Sequence, residues 1–203
     1  MRLCEAADMP MEGVRPVLLA WVCKARKMGN VYKSEWMNGM GLYRIDTIPK
    51  LALAMSELDA CLFSDVTPTS SPSKKDPYNR QAVVTLASQA KSKPLKDLYF
   101  FVFTLSRQEG QRNIDIDTAV ALWDVVLKPR FSVIGDLIAY ITEANGPDRE
   151  EGQPPKMYKG VTKDQWSMTW QLVTTVKPDL SDYDTDGGWP TLFDEFVAWK
   201  KAQ

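Results

Sequence analysis

Apolar residues recur at the spacing of an amphipathic helix along most of this chain, and this periodicity limits its fold more than any other feature. Residues 14, 17, 18, 21 and 22 follow the i, i+3, i+4, i+7, i+8 pattern that places side chains on one helical face. No segment shows the apolar–polar alternation of a half-buried strand. The sequence therefore predicts an all-α protein.

Prolines and a capping motif mark where the helices begin. Pro16, Pro94 and Pro190 each open an apolar stretch, and proline is tolerated in the first turn of a helix. Thr162 and Gln165 have the spacing of a capping box. The predicted helices cover residues 13–27, 33–40, 46–63, 94–108, 117–127, 131–145 and 162–176, and a last one starts at Pro190.

We expect residues 1–203 to form a single domain with two insertions, because 203 residues, of which 44 % are apolar, suffice for one good-sized core. Residues 64–93 begin with a stretch rich in Ser, Thr, Pro and charged residues, followed by an apolar segment that we interpret as an extra helix. Residues 145–160 are a second polar connector, rich in Pro and Gly.

Composition excludes several classes of function. Histidine is absent, so no Ser-His-Asp or Cys-His pair can form, and neither a phosphate loop nor a nucleophile elbow is present. Carboxylate or lysine chemistry is the remaining enzymatic alternative. Cys4, Cys23 and Cys61 are too few and too widely spaced for a disulfide framework or a zinc site. We therefore expect a non-enzyme without a cofactor.

Charge and hydropathy limit the classes of partner that this chain can bind. A formal net charge of −1 argues against a general nucleic-acid binder. No apolar run approaches the roughly 18–20 residues of a membrane span, and the N-terminus has no signal-peptide core. We expect an intracellular monomer, cytoplasmic or nuclear, that binds neither nucleic acid nor membrane.

An acidic stretch near the C-terminus begins like an EF-hand calcium loop. Asp182, Asp184 and Asp186 stand at positions 1, 3 and 5, and Gly187 stands at position 6. Position 12, where the loop needs a bidentate glutamate, is Phe193. The motif therefore stops halfway, which favours a degenerate, metal-free loop, with calcium binding as the alternative.

A second degenerate loop begins at Asn113. Asn113, Asp115 and Asp117 fit positions 1, 3 and 5, but Thr118 stands where the sharp turn needs glycine. Asp115 or Asp117 is better interpreted as the N-cap of the helix that follows. Together the two loops indicate EF-hand-like hairpins that have lost their metals.

The acids between Asp179 and Glu195 have a second interpretation. This segment has six carboxylates and no Lys or Arg, and the dipole of the last helix accounts for only some of them. The alternative is a negative patch that receives a basic partner. We expect Asp194 to face solvent and to converge with Asp164 where two helices begin, because Asp194 lies off the apolar stripe. That stripe comprises Trp189, Leu192, Phe193, Phe196 and Val197.

These residues carry a family signature. VTKDQW, followed farther along by YDTDGGWPTLFDEFVAW, closely resembles the potentiating-neddylation domain of the defective-in-cullin-neddylation family. LLAWVCKARKMG…EWMNGM resembles that domain's early helical hairpin, and LKDLYFFVFTLSRQEGQRNIDIDTAVALWDVVLKPRF resembles its central block. Outside the two insertions, the resemblance covers most of the chain.

The resemblance implies a fold and a mechanism. The fold is all-helical, with an EF-hand-like half that binds no metal. The activity is scaffolding: members bind the C-terminal region of a cullin and the acetylated N-terminus of the neddylation conjugating enzyme, and promote transfer of the modifier to a cullin lysine. Such a scaffold acts through proximity and orientation and needs no nucleophile, so the absence of histidine is consistent with it.

The family's cullin-binding patch is an Asp-Ala-Asp trio, and its matching positions are Asp164, Gly188 and Asp194. Gly188 departs from the family's alanine, but it keeps a small residue there, so we expect a modest effect. The two carboxylates would pair with a basic side chain of the cullin.

The family's second site is an apolar pocket for the acetylated N-terminal methionine of the conjugating enzyme. A charged amine would be costly to bury there, which gives acetylation a physical reason. Ordinary core packing is the alternative for each lining position. Several are smaller than the family's aromatics, and an early family helix is missing, so a pseudo-scaffold that binds only the cullin is the alternative function. The matching and adjacent positions are Leu19, Cys23, Val31, Leu105, Leu18 and Trp36.

Overall fold

The computed structural model describes residues 2–70, 76–90, 92–146 and 157–203. Within these ranges the chain forms ten helices and one pair of two-residue strands, which confirms the all-α prediction. The helices are α1 (Arg2–Ala6), α2 (Arg15–Val22), α3 (Lys33–Tyr43), α4 (Ile48–Phe63), α5 (Arg80–Ala87), α6 (Lys93–Ser106), α7 (Ile116–Val126), α8 (Val133–Asn145), α9 (Lys163–Thr175) and α10 (Thr191–Lys201). The strands are β1 (Ile114–Asp115) and β2 (Gly160–Val161).

The chain divides into two compact units, Met1–Ser106 and Arg107–Gln203. In the first unit, α2 packs against α4 and α6, and α5 packs against α3 and α4. Leu18, Met55 and Leu58 lie in its core without measurable exposure. Each such side chain contributes about 1.5–3 kcal/mol through burial, so these contacts hold the first unit together.

Glycine permits α3 to approach the end of α2. A Cβ atom at Gly39 would lie 2.9 Å from the Cα atom of Cys23, closer than real Cβ contacts. Any larger residue at Gly39 would therefore push α3 away from α2.

The predicted 64–93 insertion contains a helix, α5, as expected, and the residues at its start contact α4. Tyr78 is fully buried and donates a hydrogen bond of 2.6 Å to Glu57 on α4. Arg80 donates two more to the same carboxylate, over 2.9 and 2.5 Å. Residues 71–75 and 91 of this insertion, and residues 147–156 of the predicted 145–160 insertion, lie outside the described residues. The single-domain and insertion assignments stay predictions.

In the second unit, β1 and β2 pair antiparallel immediately before α7 and α9, with Ile114 opposite Val161. Asp115 caps α7, since its carboxylate accepts a hydrogen bond of 2.9 Å from the amide N–H of Asp117. This confirms one of the two predicted N-caps. The EF-hand-like character of these segments stays a prediction.

An aromatic core fixes α9 within the second unit. The Trp166 ring stacks on Trp123 of α7 at 5.6 Å, with 17° between their planes, and both side chains are fully buried. The predicted apolar stripe of α10 is largely confirmed: its Leu, Phe and Val members are buried, and Trp189 is half-buried. Among the described residues, no helix has the length and apolar character to cross a bilayer.

Candidate functional site

Asp164 stands on the first turn of α9, with its side chain exposed. The predicted capping box fixes this turn: the Gln165 amide donates to the Thr162 hydroxyl over 3.1 Å, and the Thr162 amide donates to Gln165 Oε1 over 3.0 Å. Trp166 anchors the opposite face in the core. Asp164 is thus presented to solvent from a helix start that is held rigidly.

The acidic loop, residues 177–188, uses most of its carboxylates to fold its own backbone. Asp182, Asp179 and Asp184 each accept a hydrogen bond from a backbone amide of the loop, over 2.8, 3.1 and 3.0 Å. The donors are the amides of Lys177, Ser181 and Asp186. The amide and hydroxyl groups of Ser181 hold the pKa of Asp179 below its usual range. These aspartates therefore act as turn-forming residues.

The geometry offers no calcium cage in the described residues. No group of three or more Asp, Glu or Cys side chains is arranged there to hold a metal ion. Phe193, at position 12 of the apparent loop, is fully buried on α10. Its place in the core explains in physical terms why the motif stops halfway.

Two adjacent glycines complete the loop. A Cβ atom at Gly187 would lie 2.9 Å from the indole nitrogen of Trp189, so glycine permits a close approach. Gly188 is exposed and has a φ of +69°, a left-handed backbone conformation that glycine adopts without strain. Glycine at this position of the predicted patch therefore has a backbone reason.

Asp194 stands in the first turn of α10 and is half-buried, whereas the sequence predicted that it faces solvent. The difference arises because Tyr183 folds back from the acidic loop and donates a hydrogen bond of 2.7 Å to Asp194 Oδ1. Burial, reinforced by the Asp194 carboxylate, raises the pKa of Tyr183, so its hydroxyl stays protonated at neutral pH.

The structure connects two of the three predicted patch residues. Trp189 follows Gly188 directly and stacks on the Tyr183 ring at 5.4 Å, and Tyr183 bonds Asp194. Asp164 stands on a different helix, and its convergence with Asp194 stays a prediction. No periodic signal in the sequence points to Tyr183, because its role depends on how the loop folds.

The predicted pocket residues lie in the first unit. Leu18, Leu19, Cys23 and Leu105 are buried, Trp36 is half-buried, and only Val31 is exposed, at 38 %. Burial, together with the nearby Glu35 carboxylate, raises the pKa of the Cys23 thiol to about 11, so it stays protonated. Core packing thus describes four of these positions.

Exposed apolar residues flank Val31 in the sequence, and the sequence mapping missed them; together with Val31 they form the apolar group around Val31. Met28, Tyr32 and Met37 are 42, 51 and 61 % exposed, which is high for side chains of this size. They lie on the connection between α2 and α3 and on α3 itself. No periodic pattern in the sequence singles these residues out, because polar residues and glycine separate most of them.

Glu35 braces the turn that carries these residues. Its buried carboxylate accepts hydrogen bonds from the Tyr32 amide, 2.9 Å, and from Arg26 Nε, 2.7 Å. The Tyr32 amide, followed by the Arg26 guanidinium, lowers the pKa of Glu35. Arg26 also lies over the Tyr32 ring at 5.2 Å. The apolar group is therefore displayed on an ordered turn.

Comparisons with known proteins identify the family to which the chain belongs. A family profile described as "Cullin binding" matches residues 78–199, more than half of the chain. The match contains Asp164, Gly188, Asp194 and Leu105, and the other predicted pocket residues precede it.

Three relatives show the extent of the similarity. The chain is 30 % identical over 202 residues to DCN1-like protein 5 of Rattus norvegicus, which covers all of this chain and 69 % of that relative. It is 28 % identical to DCN1-like protein 4 of Danio rerio, over 98 % of this chain and 58 % of the relative. It is also 28 % identical to Defective in cullin neddylation protein 1 of Caenorhabditis elegans, over 90 % of this chain and 56 % of the relative.

Proposed function

This chain belongs to the cullin-binding family, and from that membership we propose that it binds a cullin and promotes cullin neddylation as a non-catalytic scaffold. The observation that carries the proposal is the family match over residues 78–199, which contains the complete candidate patch. The relatives are named for DCN1 and for defects in cullin neddylation, which supports the same pathway.

The charges of the patch support a basic partner. No ion pair between described residues involves Asp164 or Asp194, so no described cation neutralises either carboxylate. Gly188 is bordered by open space, since no atom lies within 4 Å of the position that a Cβ atom would take there. A basic side chain from the C-terminal region of a cullin fits this arrangement, with the carboxylates setting register and steering encounter.

We also propose that the first unit receives the acetylated N-terminus of the neddylation conjugating enzyme. The exposed apolar group around Val31 supports this, because acetylation removes the amine charge that would be costly against an apolar surface. The scaffold would then hold cullin and charged enzyme together and accelerate transfer by proximity and orientation.

The pseudo-scaffold is the second candidate, and a specific observation favours it. Leu18, Leu19, Cys23 and Leu105 are at most 5 % exposed, so they offer little lining to a ligand without rearrangement. In this case the chain binds the cullin and leaves the conjugating enzyme unrecruited.

A reconstituted transfer reaction tests the proposed activity. We expect the chain to raise the rate of modifier transfer to a cullin C-terminal fragment on the order of tenfold or more, because it fixes the reactants relative to one another. Asp194→Ala should abolish this increase in the transfer rate. Asp124→Ala is the matched control, since Asp124 forms an exposed pair with Lys128 elsewhere in the second unit. A rate that does not change when the chain is added would contradict the proposed activity.

Titration with two peptides decides between scaffold and pseudo-scaffold. We expect a peptide of the conjugating enzyme's N-terminus to bind when acetylated and to bind at least about tenfold more weakly with a free amine, whose desolvation opposes binding. Calorimetry at equal ionic strength measures both. If neither peptide binds while the cullin still does, the chain is a pseudo-scaffold.

A further inference from the structure

Among the described residues of the acidic loop, only Leu180 and Tyr183 have buried side chains. Tyr183 is 7 % exposed. Its ring stacks on Trp189 at 5.4 Å with 28° between their planes, and Trp189 meets the Phe193 ring edge-on at 6.0 Å. The ring is therefore held between the loop and α10 by aromatic contacts that do not involve its hydroxyl.

The hydroxyl has a separate contact. It donates a hydrogen bond of 2.7 Å to Oδ1 of Asp194, the patch residue on α10. A carboxylate has two oxygens and about four acceptor sites, so this bond fixes the orientation of the group while leaving Oδ2 to accept from another donor. An aspartate on a helix surface without such a bond would sample several rotamers.

We propose that Tyr183 is a positioning residue for the cullin-binding patch, which holds Asp194 with Oδ2 directed to a basic side chain of the partner. This inference rests on the function proposed above. Preorganisation of this kind strengthens binding because the carboxylate is already ordered, so that binding costs less conformational entropy.

The acidic loop supplies the support that positioning requires. The turn-forming bonds of Asp179 and Asp182 both span Leu180, which has a φ of 57° and a buried side chain. Tyr183 follows, and its amide donates to the Leu180 carbonyl over 3.3 Å. These acids therefore act on the patch indirectly, by fixing the residue that orients Asp194.

Tyr183→Phe separates the hydroxyl from the ring. With a cullin C-terminal fragment as the probe, we expect affinity to fall about tenfold through a faster off-rate. The on-rate should stay within about twofold, because the charge of the patch is unchanged. The melting temperature should fall by no more than about 4 °C, since the ring stack remains. If Tyr183 had a purely structural role, Tyr183→Phe would lower the melting temperature without a selective increase of the off-rate.

Two backgrounds show whether Tyr183 acts through Asp194. In the Asp164→Asn background, Tyr183→Phe should still lower the affinity about tenfold, because the two residues are not coupled. In the Asp194→Asn background it should lower the affinity by less than about twofold, because Tyr183 and Asp194 are coupled. Affinity of Tyr183→Phe within twofold of the parent chain, while Asp194→Ala loses binding, would overturn the positioning role alone. Unchanged binding by Asp194→Ala and Asp164→Ala would instead overturn the cullin-binding patch itself.

Discussion

At the scale of single residues, Gly188 shows how a backbone angle determines which side chain a site can hold. A φ of +69° is open to glycine, whereas an L residue with a side chain is strained there by about 1–2 kcal/mol. The sequence indicated that a small residue is required, but the angle depends on the loop as a whole.

Replacing Gly188 by alanine, the family's residue, should lower the free energy of unfolding by about 1–2 kcal/mol, because the methyl group enters a left-handed conformation. Urea denaturation measures the change. Gly41→Ala is the matched control with the opposite sign: Gly41 is helical, nothing lies within 4 Å of its Cβ position, and alanine there should stabilise by up to about 1 kcal/mol. Equal stability of Gly188→Ala and the parent chain would show that the left-handed angle is wrong.

At the scale of elements, local signals in the sequence were sufficient to predict helices but not their ends. The Thr162–Gln165 box begins α9 where expected, because both of its bonds span only three residues. The predicted helix 13–27 stops instead at Val22, since Lys24 adopts a φ of 50° and ends the helix. Similarly, the bond between Tyr183 and Asp194 joins a loop to a helix, and no periodicity reveals it.

The contact of α5 with α4 gives a prediction at this scale. Glu57 accepts hydrogen bonds from Tyr78 and Arg80, so Glu57→Ala leaves a buried hydroxyl and a guanidinium without their acceptor. We expect the free energy of unfolding to fall by about 2–3 kcal/mol.

Asp97→Ala is the control for that variant, because Asp97 forms an exposed pair with Lys93, and such pairs contribute about 0.5 kcal/mol or less. Denaturation curves of the two variants provide the comparison. Similar small losses in both would indicate that α5 is not fixed to α4 through Glu57.

At the scale of the whole molecule, the two proposed binding functions fall in different compact units. The patch residues Asp164, Gly188 and Asp194 belong to the second unit, and the apolar group around Val31 belongs to the first. The helical class could be predicted from the sequence, because it depends on periodicity, whereas the patch assigned from a compact motif stays a prediction. The burial of Leu19 and Cys23 could not be decided from the sequence, because it depends on how the helices pack, and the pocket stays a prediction too.

The most direct test of the account is the affinity of the full chain for a cullin C-terminal fragment, measured by calorimetry for the parent, Asp164→Ala and Asp194→Ala. Loss of a carboxylate that pairs with a basic partner group costs about 2–5 kcal/mol, so each variant should bind at least about thirtyfold more weakly. Far-ultraviolet circular dichroism should remain that of the parent. Binding by both variants with the affinity of the parent chain would contradict the assignment of the patch.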